Sequence, residues 1–195
     1  MNTIEIPLFP LQAVLFPGGP MPLKIFEPRY LGMISRCLKD NAGFGVVLIR
    51  DGAEVGPATT YDVGTLVRID DWYQGEDSML RISVVGEERF LLESASTRDD
   101  GLNVGTVTLM QAEPKTLLPD DCSILTDVLD DLFNQVGGCY ENIERRFSDA
   151  SWVGFRLAEI IPISLEQRQH CLEITDSLIR LKVLMSLIKT IGTAS

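Results

Sequence analysis

Apolar residues follow two rhythms along this chain, and the rhythm changes near residue 113. Before it, short apolar segments alternate with turn-forming residues. Thr3 to Phe9, Met21 to Phe26, Phe44 to Ile49, Val63 to Tyr73 and Asn103 to Gln111 read as strands. Phe44 to Ile49 is continuously apolar, which suits a buried central strand. In the next strand Val63, Thr65, Val67 and Ile69 alternate with Gly64, Leu66, Arg68 and Asp70. Met79 to Val85 and Glu88 to Ser94 form one bent strand interrupted at Gly86, where a glycine fits a bulge or a barrel corner. One helix interrupts this series, from Pro28 to Lys39, with Tyr30, Leu31, Ile34 and Leu38 as its apolar spacing. Asn41-Ala42-Gly43 ends it, and Arg50 to Asp62 reads as a loop. Bent, closely spaced strands predict a small barrel or folded sheet.

After Glu113-Pro114-Lys115 the spacing becomes helical. Asp120 to Val136 carries Leu125, Val128, Leu129, Leu132 and Phe133 on one face, and Gly137-Gly138 stops it. A short helix is expected from Tyr140 to Phe147. Another is capped by Ser151 and ended by Pro162. Ser164 and Gln167 have capping-box spacing and open a long helix to about Ile191. Its stripe contains Leu165, Leu172, Ile179 and Val183, widened by Leu178, Leu181, Leu184 and Ile188, a width that suits a bundle. The expected fold is therefore α+β, with a β part over residues 1–113 and a helical part over 114–195.

Prolines sharpen the β reading. Pro7, Pro10, Pro17, Pro20 and Pro22 fall in or beside the first two strands. Proline cannot donate to a ladder, so these segments belong at strand starts, edges or bulges. Pro28 suits the first turn of the helix, where a missing N–H costs nothing.

The chain of 195 residues has a formal net charge of -11, which opposes binding to phosphate backbones. No apolar run reaches the ~20 residues that span a bilayer, and no signal-peptide pattern opens the sequence, so a cytoplasmic location is expected. Cys37, Cys122, Cys139 and Cys171 include no C-x-x-C pair and read as free thiols. His170 is the sole histidine, and its neighbour Cys171 points elsewhere on a helix, so no nucleophile–base pair is visible. There is no Gly-Lys dipeptide and hence no P-loop, and no H-E-x-x-H or zinc-type cluster. No cofactor and no metal are expected. Asp70, Asp71, Glu76 and Asp77 surround Trp72 and Tyr73 and read as a solvated hairpin end.

The run IPLFPLQAVLFPGGPMPLKIFEPRYLGMI resembles the start of the Lon N-terminal domain, the substrate-binding domain of the ATP-dependent protease La. Phe44-Gly45-Val46-Val47-Leu48-Ile49, Val63-Gly64-Thr65-Leu66 and Val85-Gly86-Glu87-Glu88-Arg89-Phe90 continue the likeness in the family's order. The sequence is similar to stand-alone bacterial proteins built from that domain without ATPase or Ser-Lys protease modules. The resemblance implies a PUA-like β pseudobarrel with one inserted helix, followed by a C-terminal helical bundle. It also implies a non-catalytic module that binds unfolded polypeptide or a specific protein partner, linked to protein quality control. Homo-oligomerisation is left open. The alternatives are a PUA-like small-molecule or RNA-binding module, the latter opposed by charge, and an unrecognised hydrolase.

Trp72 and Tyr73 are the candidate polypeptide contacts, because amphipathic aromatics dominate such surfaces. Glu27 and Arg29 are the family-like polar positions. They sit beside a groove in the functional reading; in the structural one they tie the helix start to the barrel, with Tyr30 in the core. Binding is expected at the β part, near the Trp72 hairpin or a cleft between the two parts.

Overall fold

The computed structural model describes residues 3–54, 56, 58–141 and 143–193. The chain divides into two compact units, Met1–Gln111 and Ala112–Ser195.

In the first unit β1 (Thr3–Leu11) runs antiparallel to β7 (Asn103–Leu109), placing Ile6 opposite Gly105. β7 pairs with β6 (Leu80–Thr97), β6 with β5 (Val63–Gln74), and β5 with β3 (Phe44–Gly52). The ring closes where Leu8 to Leu11 of β1 lie parallel to Gly45 to Leu48 of β3. Closure removes sheet edges from these strands. Two strands lie off the ring. β2 (Pro20–Ile25) pairs with the N-terminal half of β6, and β4 (Ala58–Thr60) folds back on β3 within the stretch expected to be all loop.

The bend of β6 is a bulge, as the glycine suggested. Val67 faces Gly86 and Thr65 faces Arg89, so β6 carries one extra residue there. A Cβ on Gly86 would stand 2.2 Å from the Phe16 carbonyl oxygen, so no side chain fits. A second bulge lies in β5. Ile69 faces Val84 and Asp71 faces Ser83, which leaves Asp70 as the extra residue.

α1 (Pro28–Asp40) buries Tyr30, Met33, Ile34 and Cys37. Leu31 and Leu38 are exposed, contrary to the expected stripe. A face that starts at Tyr30 continues at positions three, four and seven residues on, and Leu31 and Leu38 lie one step round the helix from it. Asn41 ends the helix in the left-handed region, its N–H bonding to the Cys37 carbonyl. The core joins α1 to Phe9, Leu15, Ile25, Phe44, Val67, Ile82 and Val84, and the Phe9 and Tyr30 rings lie 4.1 Å apart.

The second unit contains α2 (Ile124–Val136), α3 (Ala150–Ile160), α4 (Leu165–Glu173) and α5 (Ser177–Thr193). Three expectations change here. The helix expected over Tyr140 to Phe147, of which residue 142 lies outside the described residues, is replaced by a single turn over Gly138–Tyr140 and by irregular chain over 143–146. Asp149, not Ser151, caps α3: it is the extended residue before Ala150 and accepts the N–H groups of Ser151 and Trp152, while Ser151, inside the helix, donates its hydroxyl to Glu113 at 2.6 Å. The capping box of Ser164 and Gln167 is present, but the long helix breaks after Glu173 and restarts at Ser177.

Arg180 accounts for the break. Its guanidinium is fully buried and takes the Cys171 and Ile174 carbonyls, groups that a continuous helix would bond to later amides. The Asp176 carboxylate accepts the Leu178 and Ile179 N–H groups and so caps the restarted helix. Arg180 also forms a two-pronged pair with Glu113 and lies 4.0 Å over the Phe155 ring. Gly154 of α3 leaves room for its stem, since a Cβ there would meet the Arg180 Cδ at 3.2 Å. Leu172, Leu181 and Leu184 of the expected stripe are buried, whereas Ile179 is exposed.

Two stability outcomes are expected from urea melts. Leu129 is fully buried, so Leu129→Ala should destabilise by roughly 2–5 kcal/mol, while Leu178→Ala at a half-buried site should move the midpoint less. An unshifted Leu129→Ala midpoint would remove that residue from the core. Arg180→Met alone should destabilise by about 3–5 kcal/mol, since it takes the guanidinium away from the buried Glu113 carboxylate. Adding Glu113→Leu should restore part of that loss, and a purely additive double variant would contradict the pairing.

Candidate functional site

The β5–β6 hairpin and β2 form a three-stranded flap at one end of the barrel. Leu23, Ile82 and Trp72 lie in one row across it, and Lys24, Arg81 and Tyr73 in the next. Directly opposed residues share a face, so the first row continues the apolar side of the sheet and the second lies on the reverse side. Ile82 is buried in the core. Trp72, at the end of its row, is 57% exposed, and Tyr73 is 54% exposed. The Asp70 bulge sets this arrangement. Simple alternation from Ile69 would put Asp71 on the apolar face; one extra residue puts Trp72 there.

The turn of the hairpin is held by Asp77. Its carboxylate pairs with Lys24 at 2.8 Å and Arg81 at 3.1 Å, and accepts the Met79 N–H at 3.2 Å. These contacts, the Lys24 hydrogen bond foremost, hold the Asp77 carboxyl below the usual aspartate range. Asp70 pairs with Arg68, and Asp71 accepts the Trp72 N–H. The acidic group around the hairpin is thus largely internal pairing. No cluster of metal-ligating side chains occurs among the described residues.

Glu27 and Arg29 stand at the start of α1. The two pair at 2.8 Å, and the Arg29 guanidinium donates to the Gly101 carbonyl at 3.0 Å and the Glu54 carbonyl at 3.3 Å. It also lies 4.6 Å over the Tyr30 ring. Tyr30 is buried, and that burial raises its phenol above the ordinary tyrosine value. These contacts tie the helix to neighbouring loops, as in the structural alternative, yet Glu27 also lines a cavity.

That cavity, of about 170 Å³, lies between β1 and β2. Phe9, Leu11, Ile25 and Tyr30 supply its apolar wall, and Glu27, Glu54 and Lys24 its polar groups. A second depression, of about 160 Å³, is lined by Tyr73, Arg81 and Ser83. Both share Pro22, Leu23 and Lys24. Trp72 and Arg29 line neither. Of the four candidate residues, Tyr73 and Glu27 line these depressions, together with Lys24 and Glu54, which the sequence did not single out. The alternate spacing of Pro20 and Pro22 was the available signal for Lys24, since it marks one side of β2 as unpaired. Nothing local marks Glu54.

In the second unit, Trp152 is half-buried against Phe133 and Phe147, and so packs within that unit. His170 is exposed, whereas Cys171 is buried and its thiol is pushed up to about 11 by burial. Adjacent in sequence, they are not poised as a nucleophile and its base.

Comparison with known proteins places this geometry. A Lon N-terminal domain protein from Xanthomonas campestris, solved as a crystal structure, superposes with a TM-score of 0.80 and 34% identity, covering 94% of this chain and 98% of that one. Lon protease from Haemophilus influenzae is 21% identical over 192 residues, which are 95% of this chain and 24% of that protein. Protein cereblon from Danio rerio is 27% identical over 120 residues, 60% of this chain and 27% of that protein. The chain thus spans about a quarter of the length of these two relatives. The family model of the ATP-dependent protease La (LON) substrate-binding domain matches residues 5–190, running through both units. On that match the chain belongs to the LON substrate-binding domain family.

Proposed function

We propose that the chain is a non-catalytic module that holds polypeptide, an unfolded client or a protein partner, in the service of protein quality control. The observation that carries this is the apolar row of the flap, which runs past the core and ends in exposed Trp72 on a member of a substrate-binding family. A solvent-facing tryptophan offers rigid contact area at small entropic cost. The two depressions beside the flap, about 160 and 170 Å³, are smaller than the roughly 300–1,000 Å³ of drug-sized ligand sites, and so suit side-chain-sized guests at that place. Net charge of -11 disfavours the RNA reading. The carboxyl groups of Asp77 and Glu166 are both held low, the direction opposite to a proton donor at neutral pH, so they lend no support to a hydrolase.

Binding of reduced, carboxymethylated lactalbumin, read by residue-level hydrogen exchange, tests the proposal. Protection should fall on the Trp72 hairpin. Trp72→Ala should weaken binding about fivefold to tenfold with little change in melting midpoint. Protection confined to α4 and α5, or unfolding of Trp72→Ala, would place the site elsewhere.

The hairpin turn should also show a defined pH response. The Asp77 pKa is depressed on folding, so its stabilising contacts are complete above the ordinary aspartate value of about 4 and are lost only as pH falls through the lower folded value. Exchange protection of the Met79 amide, corrected for intrinsic rates, should therefore persist to about pH 4 and fall below it. Loss already at pH 6 would contradict the Asp77 anchor.

A further inference from the structure

We infer that the outer edge of β6 over residues 94–97 docks an extended segment of client polypeptide, held by its backbone and without regard to its side chains. The inference rests on the polypeptide-binding reading above and names how the client is held.

The closed ring covers β6 only as far as β5 accompanies it. Leu91 faces Val63, and the Leu92 N–H donates to the Asp62 carbonyl at 2.7 Å. The chain before β5 belongs instead to β3. The Tyr61 N–H donates to the Leu48 carbonyl at 2.9 Å, and β4 pairs with β3. Over residues 94–97, β6 is therefore the outer strand of a sheet continued by β7 and β1. Among the described residues no strand pairs with its far side. Residues 93–97 are all exposed.

The direction of each backbone group follows from the ladder. The Arg98 N–H donates to the Leu102 carbonyl at 2.9 Å, making a hydrogen-bonded pair at the hairpin turn. Bonded and non-bonded pairs alternate along an antiparallel ladder, and the register is unbroken from Thr97–Asn103 to Ser94–Thr106. Ser96 and Ser94 thus turn their backbone groups to β7, whereas Thr97 and Ala95 turn theirs outward. Glu93 is the extra residue of a bulge, and Leu92 beyond it turns outward as well, as its bond to Asp62 requires. Ala95 and Thr97 each present an N–H and a carbonyl, so an added strand exchanges both bonds with each of them.

The side chains along this edge set the ligand class. Proteins blunt open edges with proline or charge, and the β2 edge carries Pro20 and Pro22. Ser94, Ala95, Ser96 and Thr97 are neither. The Thr97 hydroxyl is turned to its neighbour, donating to the Asn103 side-chain oxygen at 2.8 Å. Charges of opposite sign flank the edge, Glu93 at one end and Arg98 at the other, and Arg98 pairs with Glu5 at 3.1 Å. Small, uncharged side chains let a strand approach and give no basis for choosing its sequence. The ligand is thus any extended chain with free N–H groups at alternate positions, a property of unfolded polypeptide. A second copy of this chain fits less well. Self-pairing of so short an edge falls well short of the roughly 1,000 Å² of a stable interface, and each copy brings a net charge of -11. The edge lies towards the opposite end of β6 from Ile82, which faces Trp72, so the two contacts on one long client reinforce each other.

Fluorescence anisotropy on the full chain tests this with a fluorescein-labelled, acetylated peptide alternating threonine with valine. Methylating one alternate set of its backbone nitrogens should abolish binding, and methylating the other set should be tolerated. A reordered peptide of the same composition should bind equally well. Ala95→Pro deletes an outward N–H and leaves the β7 ladder intact, so it should weaken binding about tenfold with little change in urea midpoint, whereas Ala95→Ser keeps the N–H and should weaken it far less. Ser96→Pro removes a ladder bond and should lower the midpoint. Equal tolerance of both methylated sets, or undiminished binding by folded Ala95→Pro, overturns the edge; should Ala95→Pro unfold, the methylated peptides decide. Binding that depends on residue order overturns the sequence-blind class. Sedimenting dimers that vanish in Ala95→Pro would assign the edge to a second copy instead. If the edge fails while lactalbumin still protects the Trp72 hairpin, the polypeptide reading stands without it. A wild-type chain that binds neither peptide nor lactalbumin overturns both.

Discussion

The β unit depends on a change of partner within a single strand. β1 pairs with β7 through Pro7 and with β3 from Leu8. That handover closes the ring and buries Phe9 and Leu11 against the α1 face. Among the described residues it also leaves β2 without a strand on its far side. Closure of the barrel and opening of the seam are thus two results of one pairing choice. The prolines agree with it, because Pro20 and Pro22 need no partner for an N–H they lack. A free edge in so closed a sheet would otherwise invite self-association. Here it is short and donor-poor.

A different constraint organises the helical unit. A buried guanidinium is costly unless its donors are matched. Arg180 meets Glu113, the Cys171 and Ile174 carbonyls, and the Phe155 face. Meeting those carbonyls requires them to be free, so α4 ends where it does and α5 begins anew under Asp176. Gly154 supplies the space. Four segments of this unit are therefore joined through one side chain, which suits specificity of packing more than raw stability.

The proposed binding surface sits where regularity fails. The Asp70 bulge turns Trp72 onto the apolar face, and the reverse face gains Tyr73 beside Arg81 and Lys24. Asp77 then fixes the turn by pairing with Lys24 of a different strand. An exposed aromatic, an anchored turn and an unpaired edge lie within a few residues of one another on β2, β5 and β6. On the proposed reading such a neighbourhood holds a polypeptide chain, in keeping with a family of substrate-binding domains.

Much of the framework was determined locally and could be read from the sequence. Strand alternation, the proline start of α1, the glycine bulge at Gly86 and the Ser164–Gln167 box each act over a few residues, and each is present. The ordered motifs of the first strands were enough to indicate the family. Other features needed the fold. Whether Leu31 or Met33 faces inward depends on what α1 packs against. The break at Glu173 depends on Arg180 reaching Glu113, 67 positions earlier. Tyr73 and Glu27 stood out in the sequence as candidates by chemical type, whereas Lys24 and Glu54 came to line the same depressions only through pairing and loop closure across distant segments. Propensity and capping are short-range and written residue by residue, whereas register, the handover of β1 and the partner of a buried charge are settled only when remote parts of the chain compete for the same neighbour.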